Sequence, residues 1–162
     1  RNELLGSEVI TSVVGMIFIG TMIGTPTWGW LSDRFKSRKK TMIVGAVLSL
    51  ITMALIMVIP TPGVVILYIL FLILGLTTAA QTIGYPVIAE SNEERVIGTA
   101  NGFGAVLIMG MAAIAQPLFG ALVRAFGGET AVSYNQAIYL MPISFVIALL
   151  CAFLLRETFG NR

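Results

Sequence analysis

Residues 41–89 read TMIVGAVLSLITMALIMVIPTPGVVILYILFLILGLTTAAQTIGYPVIA, without one Asp, Glu, Lys or Arg. A helix needs about 20 apolar residues to cross a hydrocarbon core about 30 Å thick, so this stretch is too long for one crossing. The Pro60-Thr61-Pro62-Gly63 cluster divides it where a tight turn is expected. The stretch therefore reads as a hairpin of two membrane-spanning helices, spans two and three, at 41–60 and 64–89.

Working outward, Val9 to Ser32 is uncharged and forms span one, 9–32. Beyond the charged segment 90–95, Val96 to Val123 is span four, 96–123. Uncharged residues resume from Thr130 to Leu155, giving span five at 135–155. Arg124 to Asn135, with Gly127, Gly128, Glu129 and Ser133, reads as an exposed loop. The composition agrees: 57% of the 162 residues are hydrophobic and 11% charged, with a mean hydropathy of +0.93. Such a chain cannot cover a water-soluble surface with charge. The fold class is thus an all-α polytopic membrane protein with five transmembrane helices in a single membrane domain.

The charges also orient it. Arg34, Lys36, Arg38, Lys39, Lys40, Arg95, Arg156 and Arg162 fall on one side of the spans, and Arg1 and Arg124 on the other. By the positive-inside rule the loops at 33–40 and 90–95 and the C-terminus are cytoplasmic, and the N-terminus is outside, in the cell (inner) membrane. The net charge of +2 is concentrated in the run from Arg34 to Lys40, a topology signal rather than a nucleic-acid patch. There is no histidine, and the single cysteine, Cys151, sits in an apolar run. The sequence therefore offers no disulfide, metal site or cofactor, and no enzymatic machinery. It lacks an initiator Met and a cleavable leader, and reads as a piece of a longer chain.

Helical spacing distinguishes the spans. Span two confines its small and polar positions to Gly45, Ser49 and Thr52 and should mostly face lipid; span five is similar, with Ser144, Ala148 and Cys151 on one side. In span three a 100° step places Thr77, Gln81, Tyr85, Thr78 and Thr82 on one side, with Leu76, Ala80, Ile83 and Val87 opposite. Gly75, Gly84 and Pro86 allow that helix to bend. Span four gathers Gly98, Asn101, Gly102, Ala105, Met109, Ala112, Gln116 and Gly120 away from Phe103, Leu107, Ile114 and Leu118. Such faces serve either helix packing or a polar path. Amides near mid-membrane in two helices, beside two helices without them, favour the path. Gly20 and Gly24 in span one read as close helix packing, and Pro26 and Gly29 beyond them leave room for a hinge.

At the end of span one, Gly29-Trp30-Leu31-Ser32-Asp33-Arg34-Phe35-Lys36-Ser37-Arg38-Lys39 resembles the loop signature of the major facilitator superfamily: Gly, three residues, Asp, a basic residue, then a basic pair. Lys36 stands where that signature has its second glycine, a departure that bears on the turn. Ala89-Glu90 followed by Arg95-Val96-Ile97-Gly98 is similar to the acidic and basic pair after the fourth helix of a family half. Arg156-Glu157-Thr158 resembles the Glu-Thr that closes its last helix.

The resemblance implies a major-facilitator-like half-bundle lacking its first helix, the last five helices of twelve. Spans one, three and four would line a central path, with two and five outside. It implies a cytoplasmic gate motif of Gly29, Asp33, Arg34, Arg38, Lys39, Glu90 and Arg95, in which Arg95 helps hold Asp33 against the helix dipole. It implies a solute path past Thr77, Gln81, Tyr85, Asn101 and Gln116. The expected function is part of a secondary active transporter, a symporter or antiporter, moving a small organic solute by alternating access. Its partners would be the solute, the lipid bilayer and the missing N-terminal half, and not nucleic acid. A transport-inactive membrane receptor or assembly partner is the alternative. No acidic or basic residue lies within a span, so a coupling carboxylate belongs elsewhere in the whole protein.

Overall fold

The computed structural model describes residues 7–59, 63–128 and 130–160. The expected turn at Pro60 to Pro62, Glu129 of the expected loop, and the terminal Arg1 and Arg162 lie outside the described residues. Those described fold into helices without a strand: α1 (Ser7–Phe35), α2 (Arg38–Val58), α3 (Val64–Thr78), α4 (Gly84–Glu90), α5 (Ile97–Ala125), α6 (Ala131–Ala137) and α7 (Leu140–Leu154). Short 3-10 segments at Ala79–Ile83 and Glu94–Val96 precede α4 and α5. Five helical stretches are long and apolar enough to cross a membrane, as expected. Span three is α3, the 3-10 segment and α4 in succession, and span five is α6 and α7.

The charged segment 33–40 is mostly helix. Span one continues to Phe35 and α2 begins at Arg38, leaving Lys36 and Ser37 as the turn. Helices run on past the uncharged stretches because their backbone bonds persist in water, where the charged side chains are solvated. Lys36 adopts φ 49, the left-handed conformation that a glycine takes without strain, so the turn survives the loss of glycine there. Ser37 caps α2, its hydroxyl accepting from Lys40 N–H at 3.2 Å. Thr130 caps α6 in the same way, from Ser133 N–H.

Packing centres on α1, α2 and span three. A Cβ on Gly75 would stand 2.1 Å from the Ile17 carbonyl oxygen, and one on Gly20 would stand 2.2 Å from that of Leu72. The two backbones approach where no side chain fits, which is how membrane helices gain dispersion contact. Thr21 Oγ1 adds a bond to Gly75 O at 3.3 Å. Toward the charged end, Trp28, Ala79, Ala80 and Ile83 form a buried cluster with Leu31, Met42 and Val87 against it. The stripe of span two faces this bundle: Gly45 packs on Ala80, Ser49 and Thr52 are buried, and Val44, Val47, Leu48, Ile51 and Leu55 are exposed. On span five the small residues Ser144, Ala148 and Cys151 are exposed instead. Span four is the least covered: Val123 is its buried residue, and α5 meets the rest of the chain chiefly at α4 and α6.

Candidate functional site

Arg38, the first residue of α2, gathers partners from three other spans. Its Nη1 donates to Asp33 Oδ1 at 2.7 Å and to Ser32 Oγ at 3.0 Å, both in the last turns of α1. Its Nη2 donates to Oε1 of Glu90, the last residue of α4, at 2.7 Å, and Nε lies 3.1 and 3.3 Å from the two oxygens of that carboxylate. Both acids sit at helix C-termini, where the macrodipole disfavours negative charge, and one guanidinium offsets both. The Arg38 and Glu90 side chains are 12% and 16% exposed, whereas Asp33 is 65% exposed, so Glu90 is the partner that matters energetically.

The segment after span five closes over this pair. Thr158 Oγ1 donates to Glu90 Oε2 at 3.0 Å, and the Phe159 ring lies 5.0 Å from the Arg38 guanidinium carbon. Glu157 sits at the N-terminus of α2, where it accepts from Arg38 N–H at 2.9 Å and from the Ser37 hydroxyl, as well as from its own neighbours Thr158 and Phe159. Burial works to raise its pKa, but the Ser37 hydroxyl and the Phe159, Arg38 and Thr158 N–H groups outweigh it and hold the carboxyl at about 2. Lys39 Nζ donates to the Phe153 carbonyl at 2.6 Å, a cation at the C-terminal end of α7. Spans one, two, three and five are thus tied at one end by a small set of polar bonds.

Not every residue named for the gate joins this cluster. Arg95 is exposed in the 3-10 turn before α5, and Arg38 takes the place expected for it as the partner of Asp33. The five-residue spacing decides this, because a two-residue turn folds Arg38 back onto the end of α1, where Glu90 at the end of α4 also reaches it. Arg34 is exposed, and a Cβ on Gly29 would meet nothing within 4 Å. Glu157 and Ser37 were not among the expected site residues. The Glu-Thr pair after the last span was the signal that pointed to the first; nothing marked Ser37.

The neutral residues divide as well. Thr77 is buried at 4% exposure, with its hydroxyl bonded to Leu74 O at 3.1 Å, while Gln81 and Tyr85 are exposed. Ala80 and Ile83, expected opposite Thr77, are buried on the same side as it. Residues 77 and 80, three apart, are neighbours on a helix face, and in the 3-10 segment, at about 3.0 residues per turn, 80 and 83 eclipse. Thr78 and Thr82 donate to Leu74 O and Ala79 O of their own helix. The Asn101 Oδ1 is buried without a hydrogen-bond partner among the described residues. Gln116 lines an apolar groove of about 470 Å³ between α5 and α7 with Ala115, Phe119, Leu140, Ser144 and Phe145.

A family model described as Major Facilitator Superfamily matches residues 3–161. Among solved structures, the xylose transporter XylE from E. coli, in a partially occluded inward open conformation, superposes with a TM-score of 0.75 at 18% identity. The superposition covers 95% of this chain and 42% of that one, so the chain spans less than half the length of that transporter. Comparison with curated proteins gave no match.

Proposed function

This chain belongs to the Major Facilitator Superfamily, and on that premise we propose that it forms part of a secondary active transporter that moves a small organic solute by alternating access. The observation that carries this reading is the Arg38 cluster. Four spans meet at one end through a few ion pairs and hydrogen bonds, set beyond the apolar cluster around Trp28. Such a tie stabilises one arrangement of helices and releases another when its partners part.

In this reading the cluster is a cytoplasmic gate, an orientation supported by the basic residues concentrated at that end. Gln81 and Tyr85 on span three, with Asn101 and Gln116 on span four, supply neutral hydrogen-bonding groups to the path. The unpartnered Asn101 Oδ1 supports this, because a buried amide oxygen gains from a donor supplied by solute, water or a neighbouring helix. Thr77 leaves the path and becomes a packing residue. A remaining half of the transporter, and the helix that would precede span one, provide the opposite wall.

The test is uptake by the full-length protein in proteoliposomes, comparing the wild type with Arg38→Ala and Glu90→Gln at equal insertion. Both should lose most transport while solute binding persists. Unchanged uptake in both would reduce the cluster to a structural anchor and remove the support for a gate.

A further inference from the structure

We propose that the Trp28 indole sets the point at which span three leaves the α-helical register, and thereby decides which side of that span Gln81 and Tyr85 present. Trp28 is 3% exposed, and its Nε1 donates to the Leu76 carbonyl, across from α1 to α3, at 2.7 Å. A backbone carbonyl within a membrane helix has no need of an indole while the α ladder is intact. Leu76 is the place where that ladder changes. Ala79 N–H, the first of the 3-10 segment Ala79–Ile83, still reaches back to Gly75 O, and the next carbonyl along, that of Leu76, has its α-helical donor on Ala80 within the segment.

The backbone dihedrals agree. Thr78, Ala79 and Ile83 have ψ of −21, −18 and −19, shallower than an α-helix and typical of a 3-10 turn. Pro86 explains where the segment ends, because it has no N–H for the Thr82 carbonyl and crowds the turn before it. Where it begins, residues 74–80 are Leu-Gly-Leu-Thr-Thr-Ala-Ala, and the Thr77 and Thr78 hydroxyls bond back to Leu74 O and Gly75 O without engaging Leu76 O. The indole bond arrives from another helix at that point, and the ring then packs on Ala79, Ala80 and Ile83 in one buried cluster.

The geometric effect is large. Five residues at 3.0 per turn instead of 3.6 rotate the remainder of the span by about 100° and lengthen it by about 2.5 Å. In this register Ala80 and Ile83 are buried, as is Thr77 before the segment, and Gln81 and Tyr85 are exposed. Trp28 is therefore a positioning residue: its Nε1 bonds a backbone carbonyl and its ring packs in an apolar cluster, so it acts through backbone register. The inference goes beyond the transport reading and stands without it.

The experiment replaces Trp28 with benzothienylalanine in the full-length membrane-reconstituted protein, which keeps the fused ring but substitutes sulfur for the N–H. Trp28→Phe serves as a second variant. Spin labels placed singly at Thr78, Gln81, Thr82 and Tyr85 are read by collision with oxygen, which reaches sites open to lipid or to water. With the indole present, Gln81 and Tyr85 should show the highest access; without the donor, access at Gln81 should fall several-fold as the segment relaxes toward α-helix. Leu31→Ala removes packing from the same cluster but no hydrogen bond, and should leave the pattern in place. An unchanged pattern in both Trp28 variants, or an equal shift in Leu31→Ala, would overturn the proposal.

Discussion

Arg38 and Glu90 stand 52 residues apart in sequence and meet through three guanidinium-to-carboxylate contacts, Nη2 to Oε1 at 2.7 Å and Nε to the two oxygens at 3.1 and 3.3 Å. Asp33, only five residues from Arg38, has one contact and remains mostly in solvent. Removing one partner of a largely buried pair costs about 3 kcal/mol. An exposed pair contributes about 0.5 kcal/mol. Glu90→Gln should therefore lower thermal stability and uptake much more than Asp33→Asn. Equal losses would mean that Asp33 has a partner outside this chain.

Acidification tests the Glu157 contact. Its carboxyl is held at about 2 against an ordinary value of 4.5, so the folded state binds the proton less readily than the unfolded one. Its stabilising contribution is complete above about 4.5 and disappears as pH falls toward about 2. Wild-type protein should lose more thermal stability between these values than Glu157→Gln, which has no proton to gain. Identical pH profiles would show that Glu157 does not hold the end of α2.

Lys36 is strained at φ 49. The left-handed conformation costs a side-chain-bearing residue about 1–2 kcal/mol, and glycine returns part of that gain through its greater freedom in the unfolded chain. Lys36→Gly should raise stability by up to about 1 kcal/mol, measured as a higher unfolding temperature in detergent. A decrease would indicate that the Lys36 side chain supports the turn.

Two glycines should respond oppositely. Gly75→Ala would push a Cβ to 2.1 Å from the Ile17 carbonyl oxygen, which is backbone and cannot swing aside. Overpacking of this kind costs about 1–3 kcal/mol, and misfolding or loss of the α1–α3 contact should result. Gly29→Ala meets nothing within 4 Å and should fold normally. A transport defect in a well-folded Gly29→Ala would place its role at a surface contacted by the remainder of the protein.

Orientation is open to direct labelling. Cysteines at Asn92 and Phe126, both exposed and at opposite ends of span four, should react with an impermeant reagent from the cytoplasm and from outside, respectively. Ser37 is unsuited because it is buried and bonded to Glu157. Reaction of Phe126→Cys from the cytoplasmic side would invert the topology.

The number of spans, and the end at which the charges collect, were legible in the sequence because hydropathy and charge belong to each residue and add along the chain. Uncharged stretches such as 9–32 and 96–123 leave one stable arrangement in lipid, a helix that satisfies its own backbone. The glycine contacts were legible in part: Gly20 and Gly24 announced close packing, but not that they would meet Leu72 to Ala79 of span three, with Gly75 admitting Ile17 there. The motif from Gly29 to Lys39 identified the charged site without revealing which basic residue would serve Asp33.

The tertiary structure decided matters that depend on neighbours far away in sequence. Arg38 rather than Arg95 pairs with Asp33 because a two-residue turn brings α2 back onto α1, and the Glu157 carboxylate completes the site from 119 residues beyond Arg38. Thr77, Ala80 and Ile83 are all buried, and from Ala79 span three departs from the constant 100° step that a sequence reading assumes. Periodicity along the chain can locate a helix, but its register at a given turn answers to donors such as the Trp28 indole, which only the folded bundle brings within 2.7 Å.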